Sequence, residues 1–220
     1  LANLRSITLF DILDPKFLRP FARLDPRTYL KGTEEQGAWY VGTGGSIRPL
    51  DFEIKSDLLA YGSYLNPWET VGLAFVQPYS KTAALITAGG LLAAGEVQPS
   101  AFLTNSSDEF PEGSGISVED KPVTIHFTAY NYAKDVLLAT SNRYNALKMY
   151  NVRSLSIEES LEKADQCLKL AKSYYEKNFY SGAYGYALWA YVYAYRGYGE
   201  TMGLIQDAAM ATISLFSLIL

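Results

Sequence analysis

The residues that could do chemistry in this chain are few, and they include one histidine, His126. A catalytic triad or a cysteine–histidine pair would have to use it, but no Gly-x-Ser-x-Gly motif accompanies it. Its stretch, VTIHFTAY, alternates apolar and polar residues, which is typical of a strand. We therefore expect His126 to form cross-strand hydrogen bonds, and we predict no catalytic residue.

Carboxylates are concentrated in the polar stretch 104–121, where they could at most hold a hard cation. Their spacing is not the Asp-x-Asp-x-Asp-Gly of a calcium loop. We expect a solvated, mobile loop without secondary structure, and we predict no metal and no cofactor. The acidic residues are Asp108, Glu109, Glu112, Glu119 and Asp120.

Three aromatic residues beside predicted turns could stack on sugar rings, and we predict them as binding residues: Trp39, Trp68 and Tyr79. The paired carboxylates of a glycoside hydrolase can lie anywhere in a sequence, so that class of enzyme stays open. Asn105-Ser106-Ser107 is a glycosylation sequon, and it favours a place outside the cytoplasm.

Composition excludes several classes of protein. The chain has 220 residues, of which 49% are hydrophobic and 19% charged, and this balance excludes a disordered chain. The net charge is −4 and no Lys/Arg cluster is present, which excludes nucleic acid as a partner. The single cysteine, Cys167, excludes an internal disulfide.

The two ends of the chain suggest a processed, membrane-anchored protein. The sequence opens on Leu1 without a starting methionine or a signal peptide, so we expect a processed or trimmed product. It closes on AAMATISLFSLIL, residues 208–220, which carry no charge. This run is shorter than the ~20 residues of a bilayer span. We expect it to be the start of a membrane segment.

The pattern along the chain predicts an α+β fold in three parts. Residues 1–36, with scattered prolines, are expected to be irregular or helical. Residues 37–150 contain short apolar stretches separated by turn residues, which predicts an antiparallel β-sandwich. Within that range, TVGLAFVQP, PVTIHFTAYNY and DVLLATSN are among the predicted strands, while residues 82–97 are expected to be either a strand or a buried helix.

Residues 151–220 are predicted to form an α-helical hairpin whose last helix can enter a membrane. Ser156 is the predicted N-cap of the first helix, and small and apolar residues follow it at helical spacing. The turn is expected at 178–182. Residues 183–220 should form one continuous helix whose tyrosines Tyr191, Tyr195 and Tyr198 pack against the first.

The stretch YALWAYVYAYRGYGETMGLIQDAAMATISLFSLIL, residues 186–220, resembles a region of large archaeal and bacterial membrane proteins with FtsX-like permease or carboxypeptidase-regulatory-like parts. It is similar to the helix that leads into their first membrane span. The resemblance extends over residues 160–220 and implies an extracytoplasmic ectodomain with a membrane anchor. It implies no catalytic residues. Residues 160–198 also resemble helical domains of the HEPN kind, but the Arg-x-x-x-x-His ribonuclease signature of that group is absent.

These patterns together predict a non-enzymatic, extracytoplasmic domain of a membrane-anchored protein. Its expected partners are the membrane, through the C-terminal helix, and protein subunits or envelope glycans. One alternative is a carbohydrate-binding protein or a carboxylate-dependent glycoside hydrolase. A second alternative is a cytoplasmic regulatory helical module.

Overall fold

The structure, a computed structural model, describes residues 4–10, 13–14, 19–20, 46–65, 71–87 and 100–219. Within these ranges ten β-strands precede three α-helices, so the fold is α+β. The chain divides into two compact units. The sheet unit holds residues 1–105 and 113–132, and the helical unit holds residues 106–112 and 133–220.

The first sheet has four strands in the order β10-β1-β6-β5. β1 lies in its middle, antiparallel to β6 and parallel to β10. The predicted antiparallel sandwich therefore differs from the structure at β10, which pairs in parallel with β1. The strands are β1 (Arg5–Phe10), β5 (Gly62–Leu65), β6 (Val71–Val76) and β10 (Val123–Ile125); a separate pair consists of β2 (Leu13–Asp14) and β3 (Arg19–Pro20).

β1 lies within residues 1–36, which we expected to be irregular or helical. Its sequence, RSITLF, alternates with the two-residue period of a strand. Ile7 and Leu9 are buried, while Ser6 and Thr8, which alternate with them, remain partly exposed. Burying Ile7 and Leu9 on one face stabilises a strand, and the prolines that suggested irregular structure all follow Phe10.

The second sheet is antiparallel and has one continuous buried face. β7 (Ser80–Thr87) pairs with β4 (Ser46–Asp51) along one edge. Its other edge is shared by β8 (Ser100–Leu103) and β9 (Ile116–Val118). The side chains of the buried face alternate along all four strands and include Ile47, Ala84, Ile86, Ala101, Leu103, Ile116 and Val118.

Two predictions are resolved by this sheet. Residues 82–87 form a strand and not a helix, and residues 88–99 lie outside the described residues. The expectation that 104–121 has no secondary structure is wrong at β9, whose Ile116 and Val118 are buried.

The loop between β8 and β9 is closed at its base by backbone hydrogen bonds. Gly115 N donates to Thr104 O at 2.9 Å, and Ser114 N donates to Asn105 O at 3.3 Å. Gly113 has φ +102°, and a Cβ there would lie 2.5 Å from Thr104 O, so glycine is required. The chain thus leaves the sheet unit at residue 105 and returns at residue 113.

A helix replaces one of the predicted strands and the second half of another. α1 (Thr128–Lys148) includes all of DVLLATSN and the last five residues of PVTIHFTAYNY, whose Val123–Ile125 form β10. The strand ends because Phe127 adopts φ +56°, and the Asn131 side chain donates to His126 O and Phe127 O. Beyond that turn the buried positions recur at helical spacing: Ala133, Leu137, Thr140 and Tyr144. This helix lies within the range 37–150 that we predicted as a β domain.

The helical hairpin consists of α2 (Leu155–Glu176) and α3 (Tyr180–Ile219), which pack against each other. Small residues form the seam between the two helices, which allows their backbones to approach closely. Gly197 continues the seam, since a Cβ there would lie 3.4 Å from Leu161 Cδ2. The fully buried alanines of the seam are Ala164, Ala171, Ala183, Ala187, Ala190 and Ala194.

The ends of α2 differ slightly from the prediction. Its N-cap is Ser154, whose side chain accepts a hydrogen bond from Ile157 N, and not Ser156. Leu155 is the first helical residue. The backbone N–H groups of the first turn, which have no partner within the helix, therefore begin two residues earlier than expected. The hairpin turn also ends earlier, because α3 begins at Tyr180.

The prediction of one continuous last helix is confirmed. α3 has 40 residues and does not break at Gly199. Of the three tyrosines expected to pack on α2, Tyr191 is 3% exposed, and burial raises the pKa of its phenol above the usual value. Tyr195 is 51% exposed and stacks between Tyr191 and Tyr198.

Candidate functional site

Of the three aromatic residues predicted to bind sugars, the structure places Tyr79; Trp39 and Trp68 lie outside the described residues. Tyr79 stands in the turn between β6 and β7 with φ +61°, and its side chain is 75% exposed. Its hydroxyl donates to Asp120 Oδ2 at 2.6 Å. This hydrogen bond, followed by the negative charge of the same carboxylate, raises the pKa of Tyr79.

Asp120 also binds the beginning of β1. Arg5 Nε donates to the backbone oxygen of Asp120 at 2.7 Å, and Arg5 Nη2 lies 3.9 Å from Asp120 Oδ1. The cluster of Arg5, Tyr79 and Asp120 therefore ties three chain segments of the sheet unit together. Because the Asp120 carboxylate accepts the Tyr79 hydrogen bond and lies near the Arg5 guanidinium, the arrangement acts as a structural cross-link.

Asn105, the sequon residue, lies at the base of the closed loop. The backbone of Asn105 has φ +56°. Its side chain is exposed and donates through Nδ2 to Ser114 Oγ and Gly115 O, both at 3.1 Å. The nitrogen that would carry a glycan therefore also helps to close the loop in this structure.

The acidic residues of 104–121 are distributed over separate contacts. Glu112 accepts hydrogen bonds from Arg143 within the helical unit, and this carboxylate raises the pKa of the Arg143 guanidinium. Asp120 belongs to the sheet unit. Across the ranges that the structure describes, no three His, Cys, Asp or Glu residues are grouped so as to hold a metal ion.

His126 follows the last residue of β10 and does not lie in the middle of a strand, where we expected it. Its ring is exposed and stacks on Phe10, with the ring centroids 5.6 Å apart and the planes 4° from parallel. The cross-strand neighbour of His126 is thus an aromatic ring.

That stack belongs to a surface of the first sheet that sequence reasoning missed. Opposite the buried Ile7 and Leu9, the outward side chains remain at least partly exposed. We call this surface the open sheet face. Its members, assigned by strand register and alternation, are Ser6, Thr8, Phe10, Tyr64, Val71, Leu73, Phe75, Thr124 and His126.

The sequence contains only part of the signal for this face. The alternation of RSITLF and GLAFV marks which residues share a side of each strand. The register that brings Thr124, Thr8, Leu73 and Tyr64 into one row across the sheet is set by pairing between distant segments. That pairing is not readable from any one stretch.

The second exposed surface is the end of α3, which we call the apolar helix end, residues 206–217. Each side chain described in that range is exposed, including Met210 at 58%, Ile213 at 62% and Phe216 at 64%. Asp207 is its only charged residue. An ordinary surface helix needs one apolar stripe, whereas residues 208–217 are apolar or small on every side of the helix.

The hydroxyl groups of the apolar helix end are satisfied within the helix itself. Thr212 Oγ1 donates to Ala208 O at 2.8 Å, Ser214 Oγ to Met210 O at 2.9 Å, and Ser217 Oγ to Ser214 O at 2.8 Å. Polar groups bonded in this way need no water, so the segment is suited to an apolar environment.

None of the helices, over the residues described, is both long enough and apolar enough to cross a bilayer.

Comparison of the chain with protein-family models, with curated proteins and with solved structures gives no match.

Proposed function

We propose that this chain is a non-enzymatic, extracytoplasmic domain of a membrane-anchored protein, and that it interacts with a partner subunit or a cell-envelope component. The single observation that carries the proposal is the apolar helix end. The side chains described there are exposed, and its hydroxyls are bonded within the helix. In a bilayer that apolar surface would be covered, which stabilises the bound state.

The finer architecture belongs to the same proposal. We infer that the two sheets form the layers of a β-sandwich, because each has a buried face and β4 lies against β5 and β6. Alternating buried side chains from two sheets are the usual core of such a fold. An extracytoplasmic place is supported by the exposed sequon residue Asn105.

Flotation with neutral phosphatidylcholine vesicles tests the anchor. The full chain should float with the vesicles, and Ile213→Asp and Phe216→Asp should each lower the bound fraction at least about tenfold, because a carboxylate is costly in an apolar layer. Neutral lipid is used so that surface charge cannot cause the binding.

Met149→Asp is the matched control, since Met149 is 78% exposed but lies outside the apolar helix end. It makes the same change of charge and should float like the unmodified chain. A chain that stays in the lipid-free fraction, or equal losses for Met149→Asp and Ile213→Asp, would contradict the proposal.

A further inference from the structure

We propose that the open sheet face binds a neutral carbohydrate. This inference rests on the proposed function, because it names the class of ligand for the interaction proposed above. The face itself lies in the sheet unit, whereas the apolar helix end lies in the helical unit, so the two sites can be tested separately.

Aromatic rings lie on both sides of this face. At one side the Phe10 and His126 rings are stacked nearly in parallel. At the other side Tyr64 is 54% exposed on β5, and Phe75 beside it on β6 is 37% exposed. Phe75 lies over Gly62, whose added Cβ would come 3.5 Å from the Phe75 ring. Exposed rings of this kind offer wide apolar contact to the C–H face of a sugar ring.

Hydroxyl groups lie between the rings. Ser6 and Thr8 point outward from β1, and Thr124, which pairs with Thr8, is exposed beside them on β10. Each hydroxyl can both donate and accept a hydrogen bond, as each sugar hydroxyl can. A surface of rings and hydroxyls therefore matches the two kinds of surface that a sugar presents.

The charge of the face restricts the ligand. None of its assigned members is Asp, Glu, Lys or Arg. Binding of a nucleic acid depends on Lys and Arg that neutralise phosphates, so that class of ligand does not fit. An acidic glycan would equally lack a cationic partner among these residues. The ligand that fits is neutral.

The size of the face favours a small ligand over a protein. Four strands about 4.8 Å apart give a width of roughly 14 Å, and the four residue steps from Ser6 to Phe10 give a length of roughly 13 Å. The area is therefore about 200 Å². A stable protein partner buries about 800 Å² on each side. A short oligosaccharide segment matches the smaller area.

Saturation-transfer NMR with the full chain tests this proposal without lipid. The probes are neutral tetraoses of glucose, mannose and N-acetylglucosamine at millimolar concentration, and a heparin tetrasaccharide is the charged comparison. At least one neutral tetraose should bind. Tyr64→Ala and Phe75→Ala should each weaken that binding about tenfold, the effect of one lost aromatic contact.

Two further variants separate binding from folding. Phe102→Ala is the matched control, because Phe102 is 45% exposed on β8 of the other sheet, and it should bind like the unmodified chain. Tyr64→Phe keeps the ring and should bind within about twofold; if Tyr64→Ala does not fold, Phe75→Ala gives the result.

Three outcomes would overturn the proposal: no transfer to any neutral tetraose, preference for the heparin fragment, or an equal loss in Phe102→Ala. Because lipid is absent here and sugar is absent from the flotation experiment, failure of one proposal does not imply failure of the other.

Discussion

The guanidinium of Arg143 holds the carboxylate of Glu112 through two hydrogen bonds, from Nε to Oε1 at 3.0 Å and from Nη2 to Oε2 at 2.6 Å. The same guanidinium lies 5.6 Å from the centre of the Tyr198 ring. Glu112 ends the loop segment 106–112, so this pair attaches that segment to α1 within the helical unit. The buried Asp135 attaches its other end by accepting a hydrogen bond from Ser106 N at 2.8 Å.

Glu112→Gln should lower the free energy of unfolding by about 1 kcal/mol, because a two-point contact is stronger than a typical surface ion pair. Urea denaturation measures the change. Asp165→Asn is the control: it removes the solvent-exposed pair with Lys169 inside one helix, and it should lower the free energy of unfolding by less than Glu112→Gln does. Equal losses in the two variants would show that the paired geometry contributes nothing.

Gly199→Ala should stabilise the chain by about 1 kcal/mol, since alanine is the better helix former. Among the described residues, no atom beyond the adjoining helix backbone lies within 4 Å of the added Cβ. Gly197→Ala should gain less, because its Cβ would lie 3.4 Å from Leu161 Cδ2 in the seam between α2 and α3. Thermal unfolding compares the two. A larger gain at Gly197 than at Gly199 would contradict the packing described for the seam.

Thr201→Val should also stabilise the chain, by about 1 kcal/mol, because Thr201 Oγ1 is buried and has no hydrogen-bond partner in the described part of the chain. Valine keeps the shape and removes the unsatisfied group. Thr140→Val is the matched control, since the equally buried Thr140 Oγ1 donates to Val136 O at 2.6 Å. Urea denaturation should show a loss or no change there. Destabilisation by Thr201→Val would mean that its hydroxyl is satisfied.

Stability should decrease in acid partly through Glu158. Lys148 Nζ lies 3.0 Å from Glu158 Oε1, and this hydrogen bond, above all other causes, lowers the pKa of Glu158 below its usual 4.5. Because the unfolded state takes up the proton more readily, the contribution is present above the unfolded pKa and is lost as the pH falls through the folded pKa.

The urea midpoints of Glu158→Gln and of the unmodified chain should therefore differ near neutral pH and converge as the pH falls through the lowered pKa of Glu158. Glu159→Gln, whose carboxylate lies 3.9 Å from Lys163 Nζ, should show a smaller difference at neutral pH. A difference between the urea midpoints of Glu158→Gln and the unmodified chain that stays constant with pH would show that Glu158 does not cause the loss of stability in acid.

The helical hairpin could be predicted because its signal is long and local. Alanines recur at helical spacing from Ala164 to Ala194, and proline is absent from α3, so the pattern alone indicated two packed helices. The first residue of α2 was predicted less accurately, because it depends on which serine side chain accepts a hydrogen bond from a backbone N–H of the first turn. That serine is Ser154.

The region around His126 could not be predicted, because its composition favours the wrong element. VTIHFTAY is rich in β-branched and aromatic residues, but the chain turns at Phe127, whose φ of +56° is set by the surrounding structure. The open sheet face could not be predicted for a similar reason. Phe10, Tyr64 and Phe75 come together only through strand register, which depends on distant pairing.

The course of the chain through residues 105–113 limits how this protein can be divided. Because 106–112 belong to the helical unit while the residues on either side belong to the sheet unit, no single cut separates the two units. A gene fragment that begins at residue 133 would encode all of α2 and α3 but would lack Ser106 and Glu112. Recombination could therefore not transfer the helical unit as one continuous gene segment. A deletion within 106–112 would remove part of the helical unit, although these residues lie outside its main segment, 133–220.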